Sequence, residues 1–552
     1  MTDSIKVPDK VLEIIKGRGI GDAELEEFIS NRPQLSYDPF LLAHMREGVE
    51  LLLSAVDRDL RIVIYGDYDV DGITSTALLM KVISCLTDKV SYYIPSRIDE
   101  GYGLHREAID RIKADGGEFI VTVDCGSVSR EETAYAHSLG IETLVTDHHN
   151  ISDVIAEGVV INPKLPDDGY PFKDLAGVGV AYKLALAIAR TREIPRDVMA
   201  EIIEFATVGT IADIMPMMDE NRTLVKVGLR SIHLGCRNRG LRELIDRSSL
   251  DYKTIKAGDI SYGIAPKINA SGRMGDATVG VRLLLSNDES EIRECCEALL
   301  SANNERRRLQ DDAFKRGLDM IDDEMALGDF LMLEINDSHE GVLGIVAGRL
   351  REQVNRPVVV ISEGDGTYKG TGRSIVGVDL FKMLDKYRPE FKSFGGHSAA
   401  CGFTIDSDKV AKLKADLNQD MRAIKDANPD IFDLKYDYDA EISTDEIDLE
   451  LANALTLLEP CGKGNEVPAF LLKDAKICNW RFLKNEDKMA RFAIRGDGGR
   501  YIDAVLFSGA ADAYELVQNG SVDILGSVEI NVWRDEARVQ MVVRQVLESG
   551  TL

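Results

Sequence analysis

Tyr65–Gly72 reads YGDYDVDG, with aspartates Asp67, Asp69 and Asp71 at every second position. Just before it, RIVIYG (61–66) is a short β-rich run. Just after it, ITSTALLMKVISCL spaces its apolar residues as a helix does. A polar loop between a strand and a helix lies where open α/β sheets bind ligands, beyond the carboxyl ends of the strands. Hard cations take oxygen ligands, and carboxylates two residues apart can converge on one if the loop bends. The D-x-D-x-D-G spacing also opens an EF-hand. Position 12 counted from Asp67 is Leu78 rather than Glu, however, and the preceding element is a strand, so that reading fails. A solvated acidic turn capping a helix is the plainer alternative for this segment taken alone.

The strand–helix rhythm continues through KVSYYIP, EFIVTVD, IETLVTD and EGVVINP, with HREAIDRIKA and REETAYAHSLG between them. Short apolar strands alternating with helices predict an α/β fold with a parallel, doubly wound sheet. Around it the chain divides into an N-terminal helical segment (1–55), the parallel-sheet domain (56–286), a charged connector helix (287–327), a smaller α/β domain (328–428) and a strand-rich remainder (429–552). The remainder offers five strands, in PAFLLKDAKICNW, MARFAIRG, YIDAVLFS, SVDILGSVEIN and ARVQMVVRQVL, which fit a small barrel of the OB type.

Two further strands of the parallel sheet end on acids. EFIVTVD ends at Asp124, and IETLVTD at Asp147, followed by His148 and His149; ATVGTIADIMP then places Asp213 where a helix stops. Singly, a strand-end Asp is often an N-cap and a His pair is often polar surface. Three such ends in one sheet converge in space, so together they are less ordinary. Carboxylates with a neutral imidazole suit Mn²⁺, or Mg²⁺ with fewer imidazoles. Two ions about 3.5–4 Å apart would clamp the attacking and leaving oxygens of a phosphoryl displacement.

Composition pulls the other way. The 552 residues carry 66 Lys+Arg against 94 Asp+Glu, a net charge of −28 with a pI near 4.8. Alone, that argues against nucleic acid and against an anionic membrane, although a site is local and net charge is a sum. None of the eight cysteines forms a C-x-x-C pair, which disfavours a zinc ribbon or finger, and a reducing cytoplasm is expected. The polar start MTDSIKVPDK has no apolar core of a signal peptide. The most apolar stretch, around 176–189, is too short for a membrane span and is broken by Lys183.

At these residues the chain resembles the DHH phosphoesterase superfamily, whose motif is Asp147-His148-His149 here. The resemblance covers almost the whole chain: GDYDVDG (66–72), EGYGL (100–104), DCGS (124–127), AGVGVAYKL (176–184), ADIMP (212–216) and INASGRMG (268–275), then HEGVLGIVAGRL (339–350), KGTGRS (369–374), GGHSAACGF (395–403) and LEPCGKGN (458–465). The order is similar to that of its single-strand-specific 5′→3′ exonucleases. The resemblance implies that Asp69 and Asp71 each ligate one metal, that Asp124 bridges them, and that His148 and Asp213 complete the second site. It makes Asp67 and Asp147 orienting residues and turns His149 toward the scissile phosphate. Some members carry a histidine where this chain has Tyr65, which predicts a weaker first metal site. A tryptophan often precedes the position of His339; here it is Ser338.

The second α/β segment resembles the DHH-associated (DHHA1) domain. Its Gly395-Gly396-His397 would let amides and an imidazole approach a phosphate. Arg373 has the planar fork suited to a terminal phosphate, and Arg97, Arg273 and Thr371 are the other candidates for the nucleotide end. A surface ion pair is the competing reading for any one arginine. In the barrel, residues 481–500 hold Arg481, Lys484, Lys488, Arg491, Arg495 and Arg500 against Glu486, Asp487 and Asp497, a local +3 with Trp480, Phe482 and Phe492 among them. Such a surface suits stacking of single-stranded bases, although alternating Phe residues are more often core.

The leading expectation is a monomeric, cytoplasmic, metal-dependent exonuclease. It would degrade single-stranded DNA 5′→3′ to mononucleotides in repair and recombination, with helicase and single-strand-binding protein as candidate partners. The alternatives are an oligonucleotide or cyclic-dinucleotide phosphodiesterase of the same superfamily, whose members generally lack such a barrel, and a non-catalytic DNA-binding scaffold. A decayed site would lose ligands first, and none is missing. A pyrophosphatase is disfavoured by length and by Tyr65.

Overall fold

The run IVIY forms β1 (Ile62–Tyr65), and all four residues are buried. That is expected of a strand covered on both faces of a parallel sheet. The computed structural model describes residues 7–97, 100–364, 366–483, 488–496, 499–533 and 536–552. β2 (Val90–Tyr93), β3 (Phe119–Val123), β4 (Glu142–Thr146) and β5 (Val159–Ile161) complete an all-parallel sheet in the order β2-β1-β3-β4-β5. The chain leaves β1 toward one side for β2 and returns on the other side at β3. The switch point therefore opens above the carboxyl ends of β1 and β3, where the aspartates sit. The helix after β1, Val70–Ile83, is buried on nearly every face beneath helices Gly177–Ala189 and Arg196–Ala212. An apolar sequence all round a helix requires such cover.

The charged connector is one unbroken helix, Glu289–Leu327, whose N-cap Asp288 accepts from the amides of Ser290 and Glu291. Its 39 residues span about 58 Å at the α-helical rise. One end lies on helix Ala265–Met274 and the other on the second sheet's helix Glu340–Val354. That sheet comprises β6 (Leu331–Glu334), β7 (Val358–Gly364), β8 (Thr367–Arg373), β9 (Phe391–His397) and β10 (Ala400–Asp406) in the order β6-β7-β8-β10-β9. The β9–β10 hairpin is formed by the Gly395-Gly396-His397 region, with β9 as the edge strand.

The C-terminal strands are β11 (Ala440–Glu441), β12 (Phe470–Phe482), β13 (Ala490–Arg495), β14 (Tyr501–Leu506), β15 (Val522–Trp533) and β16 (Glu536–Glu548). Their order is β11-β12-β13-β14-β16-β15, and pairing of β15 back onto β12 closes a five-stranded barrel. β14 runs parallel to β16, and helix Ala510–Gln518 lies between β14 and β15 in sequence. The OB-type expectation holds.

The N-terminal segment divides between two cores. Val11, Ile14, Ile15, Phe28 and Ile29 are buried in the barrel's core, whereas Met45, Val49 and Leu52 belong to the parallel-sheet core. One barrel expectation is corrected. Phe492 is 2% exposed and lies in the barrel core, so it cannot stack on a base. Trp480 stacks on it at 4.7 Å, and Phe482 is the more exposed ring at 38%. Within the basic stretch, Lys484, Glu486, Asp487 and Asp497 lie outside the described residues, and Arg491 faces Asp503 at 3.5 Å. Among the described residues no helix is long and apolar enough to cross a membrane.

Candidate active site

The strand ends deliver their side chains to one point. Asp69 caps helix Val70–Ile83, accepting from Gly72 N at 3.0 Å. Asp71, inside the first turn, accepts from Gly177 N and Val178 N at 2.7 Å each. The start of a second helix thus orients this carboxylate. Asp124 leaves β3 with φ 60°, a left-handed conformation uncommon for a residue with a Cβ. His148 Nε2 lies 3.1 Å from Asp124 Oδ1, 3.5 Å from Asp213 Oδ2 and 3.8 Å from Asp71 Oδ2.

Three overlapping groups of donor atoms could each hold a cation: Asp67, Asp69 and Asp124; Asp71, His148 and Asp213; and Asp124, His148 and His149. Asp124 Oδ1 also lies near the second group, through His148. Asp67 Oδ1, Asp124 Oδ1 and His148 Nε2 are buried without a hydrogen-bond partner. Buried polar atoms normally have partners, so the chemistry of these converging orphans fits a cation site. The resemblance made Asp67 an orienting residue; here one of its oxygens lies in the same cluster as oxygens of Asp69 and Asp124.

The electrostatics agree with a site built for positive charge. Burial, with like charge from the other aspartates, pushes the carboxyls of Asp71 and Asp124 well above the usual range. Burial and Asp69 raise Asp67 to about 8 and Asp213 to about 7. Burial and the neighbouring His149 lower His148 to about 3, leaving a neutral imidazole able to ligate. His149 goes the other way. Burial alone would lower it, but the hydrogen bond and charge of Asp147 outweigh that and raise it to about 9.

Asp147 is the hub of that arrangement. Its Oδ1 meets His149 Nδ1 at 2.8 Å and accepts from the amides of His148 and His149, while Oδ2 accepts from Ser127 N at 2.9 Å. Burial would raise this carboxyl, yet His149 and the amide hold it below the usual range. Tyr102, from EGYGL, places its hydroxyl 3.0 Å from His149 Nδ1. Tyr65 takes no part: it is fully buried, donates to Gly103 O at 2.9 Å and stacks on Tyr93 behind the sheet.

A second group of predicted residues meets in a cavity of about 650 Å³ between the parallel-sheet domain and the second sheet, lined by Arg97, Arg273, Thr371 and Arg373. Arg97 lies over the Tyr68 ring at 4.9 Å, and Arg273 donates to Gly341 O at 3.1 Å. None of the three arginines has a carboxylate partner among the described residues. Burial, with like charge from Arg97 and Arg306, lowers Arg273 to about 10, so the group stays cationic at neutral pH. Gly395, Gly396 and His397 do not line this cavity. The register sets His397 opposite Ala400 and Ala400 opposite Arg373, so His397 leaves the same face as Arg373, roughly 10 Å away across two strand spacings.

Sequence reasoning missed the residues that act by being small. A Cβ on Gly177 would stand 2.5 Å from Asp124 Oδ1, and one on Gly344 would stand 2.9 Å from Arg373 Nη2. Both glycines lie in recognised motifs, but what each makes room for is a tertiary fact. Ser338 accepts from Arg316 Nη2 at 2.7 Å, tying the long helix to the loop before Glu340–Val354.

Comparisons with known proteins agree with this geometry. Residues 61–210 match the DHH family N-terminal domain, 328–423 the DHHA1 domain and 438–545 the RecJ OB domain. The chain is 32% identical to the single-stranded-DNA-specific exonuclease RecJ of Bacillus subtilis over 100% of its own length and 69% of that protein's. It is likewise 32% identical to the Salmonella typhimurium RecJ, covering 98% of this chain and 96% of that one. The fold is similar to a crystal structure of Thermus thermophilus RecJ in complex with Mn²⁺, with TM-score 0.84 and 28% identity over 99% of this chain and 77% of the other. In sequence, domain content and fold, the chain belongs to the RecJ family of DHH-domain exonucleases.

Proposed function

We propose that this protein is a metal-dependent exonuclease that hydrolyses single-stranded DNA from its 5′ end to mononucleotides, in DNA repair and recombination. The observation that carries this reading is the convergence of five aspartates and His148 with three buried, unpartnered donor atoms, next to a cavity lined by arginines. Asp67, Asp69 and Asp124 would hold one Mn²⁺ or Mg²⁺, and Asp71, His148 and Asp213, with Asp124 between, the other. When bound, the metals supply Lewis acidity and an activated water for phosphodiester cleavage.

The chain's own residues do the rest. Asp147 fixes the His149 ring through Nδ1, leaving Nε2 to face the phosphate as a hydrogen-bond donor. Arg97, Arg273 and Arg373, with the Thr371 hydroxyl, take the phosphate at the strand's 5′ end and so set which bond reaches the aspartates. The closed barrel holds the trailing strand. A duplex end must be opened first, so an unwinding helicase is the class of partner this activity calls for.

One experiment tests the reading: hydrolysis, with Mn²⁺, of a 5′-phosphorylated single strand, its duplex and a dinucleotide. Stepwise mononucleotide release from the single strand, with the duplex resistant, is the expected result. Preference for the dinucleotide would instead favour the short-oligonucleotide phosphodiesterase.

A further inference from the structure

Part of the C-terminal module reaches the metal-ligand cluster. Glu459–Asn465, EPCGKGN, ends in a tight turn: Gly462 and Asn465 exchange backbone hydrogen bonds at 2.9 and 3.0 Å, Gly464 takes φ +75°, and Lys463 is at the tip. A glycine at that position is what a type II turn requires. The tip is docked on the segment that follows Asp213. Lys463 O accepts from Met217 N at 2.7 Å, and a Cβ on Gly462 or Gly464 would already touch Met217, Met218 or Pro216.

What holds the turn there is Arg222, 3% exposed. Its guanidinium donates to Leu457 O, Leu458 O, Glu459 O and Pro460 O at 2.9–3.1 Å and to Phe28 O at 3.1 Å, with its central carbon 3.8 Å from the centre of the Phe28 ring. All five N–H groups of the side chain are thereby used. Asn465, fully buried, ties the turn's two sides by donating to Leu458 O and Pro460 O at 2.7 and 2.9 Å. Lys463 itself is exposed and has no ion-pair partner among the described residues. Its backbone is docked on Met217, in the same short segment that Asp213 opens. A cation fixed beside a cluster that would hold metals and a phosphodiester has an anionic partner to find.

Building on the exonuclease reading, we propose that Lys463 contacts a backbone phosphate of the bound strand on the Asp213 side of the cluster, and that Arg222 is the positioning residue that presents it. The barrel module would then hold the strand and also reach into the active site. A point charge on a flexible stem can follow a phosphate whose position shifts by one nucleotide per turnover.

The test uses the full chain with Mn²⁺ and a 5′-phosphorylated single strand of fixed length. Lys463→Gln should raise KM about tenfold with kcat within twofold, and lower the slope of log affinity against log salt by about one, as the loss of one phosphate contact does. Lys463→Arg should restore most of both. Arg222→Met should reproduce the KM and salt effects, and the double variant should add nothing further, because both act through one contact. Should Arg222→Met fail to fold, the Lys463 variants still decide. Unchanged KM and salt slope in Lys463→Gln overturns the proposal, while a wild-type chain without Mn²⁺-dependent hydrolysis overturns the exonuclease reading instead.

Discussion

Asp124 shows what a single residue gives up for a site. It sits at φ 60°, buried, with one oxygen unpartnered and other aspartates around it. Sparsely populated backbone conformations cost on the order of 1–3 kcal/mol each and persist where the surroundings enforce them. Gly177 is part of that enforcement. Gly177→Ala should displace the Asp124 carboxylate and lower kcat on the order of 100-fold, with circular dichroism unchanged, since small misplacements at a reacting centre carry that penalty. The titration of the cluster gives a second prediction, for protein stripped of metal with a chelator. Asp67 and Asp213 have folded pKa values of about 8 and 7, above the unfolded carboxylate value. The folded state therefore binds more protons than the unfolded state between about pH 4 and 8, and its stability is present at the acid end and lost as pH rises through that window. The metal-free protein's Tm should fall between about pH 5.5 and 8, and saturating Mn²⁺ should abolish the fall. A Tm that rises over that range without metal would contradict the buried, repelling cluster.

At the scale of elements, helix Glu340–Val354 is the informative case. Its sequence, EGVLGIVAGRLREQV, looks poor for a helix because three glycines interrupt it. The structure gives two of them a use. Gly341 approaches Arg273 O and Gly344 approaches the Arg373 guanidinium, so the helix face is shaved flat where the arginine cavity needs space. Gly344→Ala should stabilise the isolated helix slightly yet push Arg373 aside. The expected readout is a roughly tenfold rise in KM for a 5′-phosphorylated strand and little change for a 5′-hydroxyl strand, since a phosphate contact of ordinary strength is what is lost. Equal effects on both substrates would mean that Arg373 does not read the terminal phosphate. The GGH hairpin is a second case. Its glycines read as a phosphate loop; the structure shows an edge hairpin outside the arginine cavity, with His397 two strands from Arg373 on the same face.

At the scale of the molecule, the N-terminal helices and the C-terminal barrel share a core. Helix Asp9–Gly17 and Phe28 are buried with barrel residues such as Leu458, Phe470 and Ile494. Arg222 and Met217 then lock that unit to the parallel-sheet domain. A cut after about residue 430 that leaves residues 7–30 in place should expose Val11, Ile14, Ile15 and Phe28 and aggregate. Removing both parts should give a soluble protein that hydrolyses very short strands with Mn²⁺ but binds long ones weakly. The comparison is read by size-exclusion chromatography and by KM against strand length. A net charge of −28 argues, by itself, against DNA. The structure instead concentrates acids where cations would bind and gathers arginines at the cavity beside them, so whole-chain charge is a poor guide to the partner.

Sequence alone determined the α/β class, the barrel, the strand-end aspartates and the His148-His149 pair. Strand–helix periodicity and acids at strand ends are local patterns, and a parallel sheet brings its carboxyl ends together by construction. It also named Arg97, Arg273, Thr371 and Arg373, which do share one cavity. Only the tertiary structure decided that an Asp67 oxygen clusters with those of Asp69 and Asp124, that Phe492 is core, that Gly177 and Gly344 act as absences, and that Val11, Ile14, Ile15 and Phe28 belong to the barrel's core. These depend on which atoms from distant segments meet, at separations of a few ångströms, and no spacing along the chain encodes that.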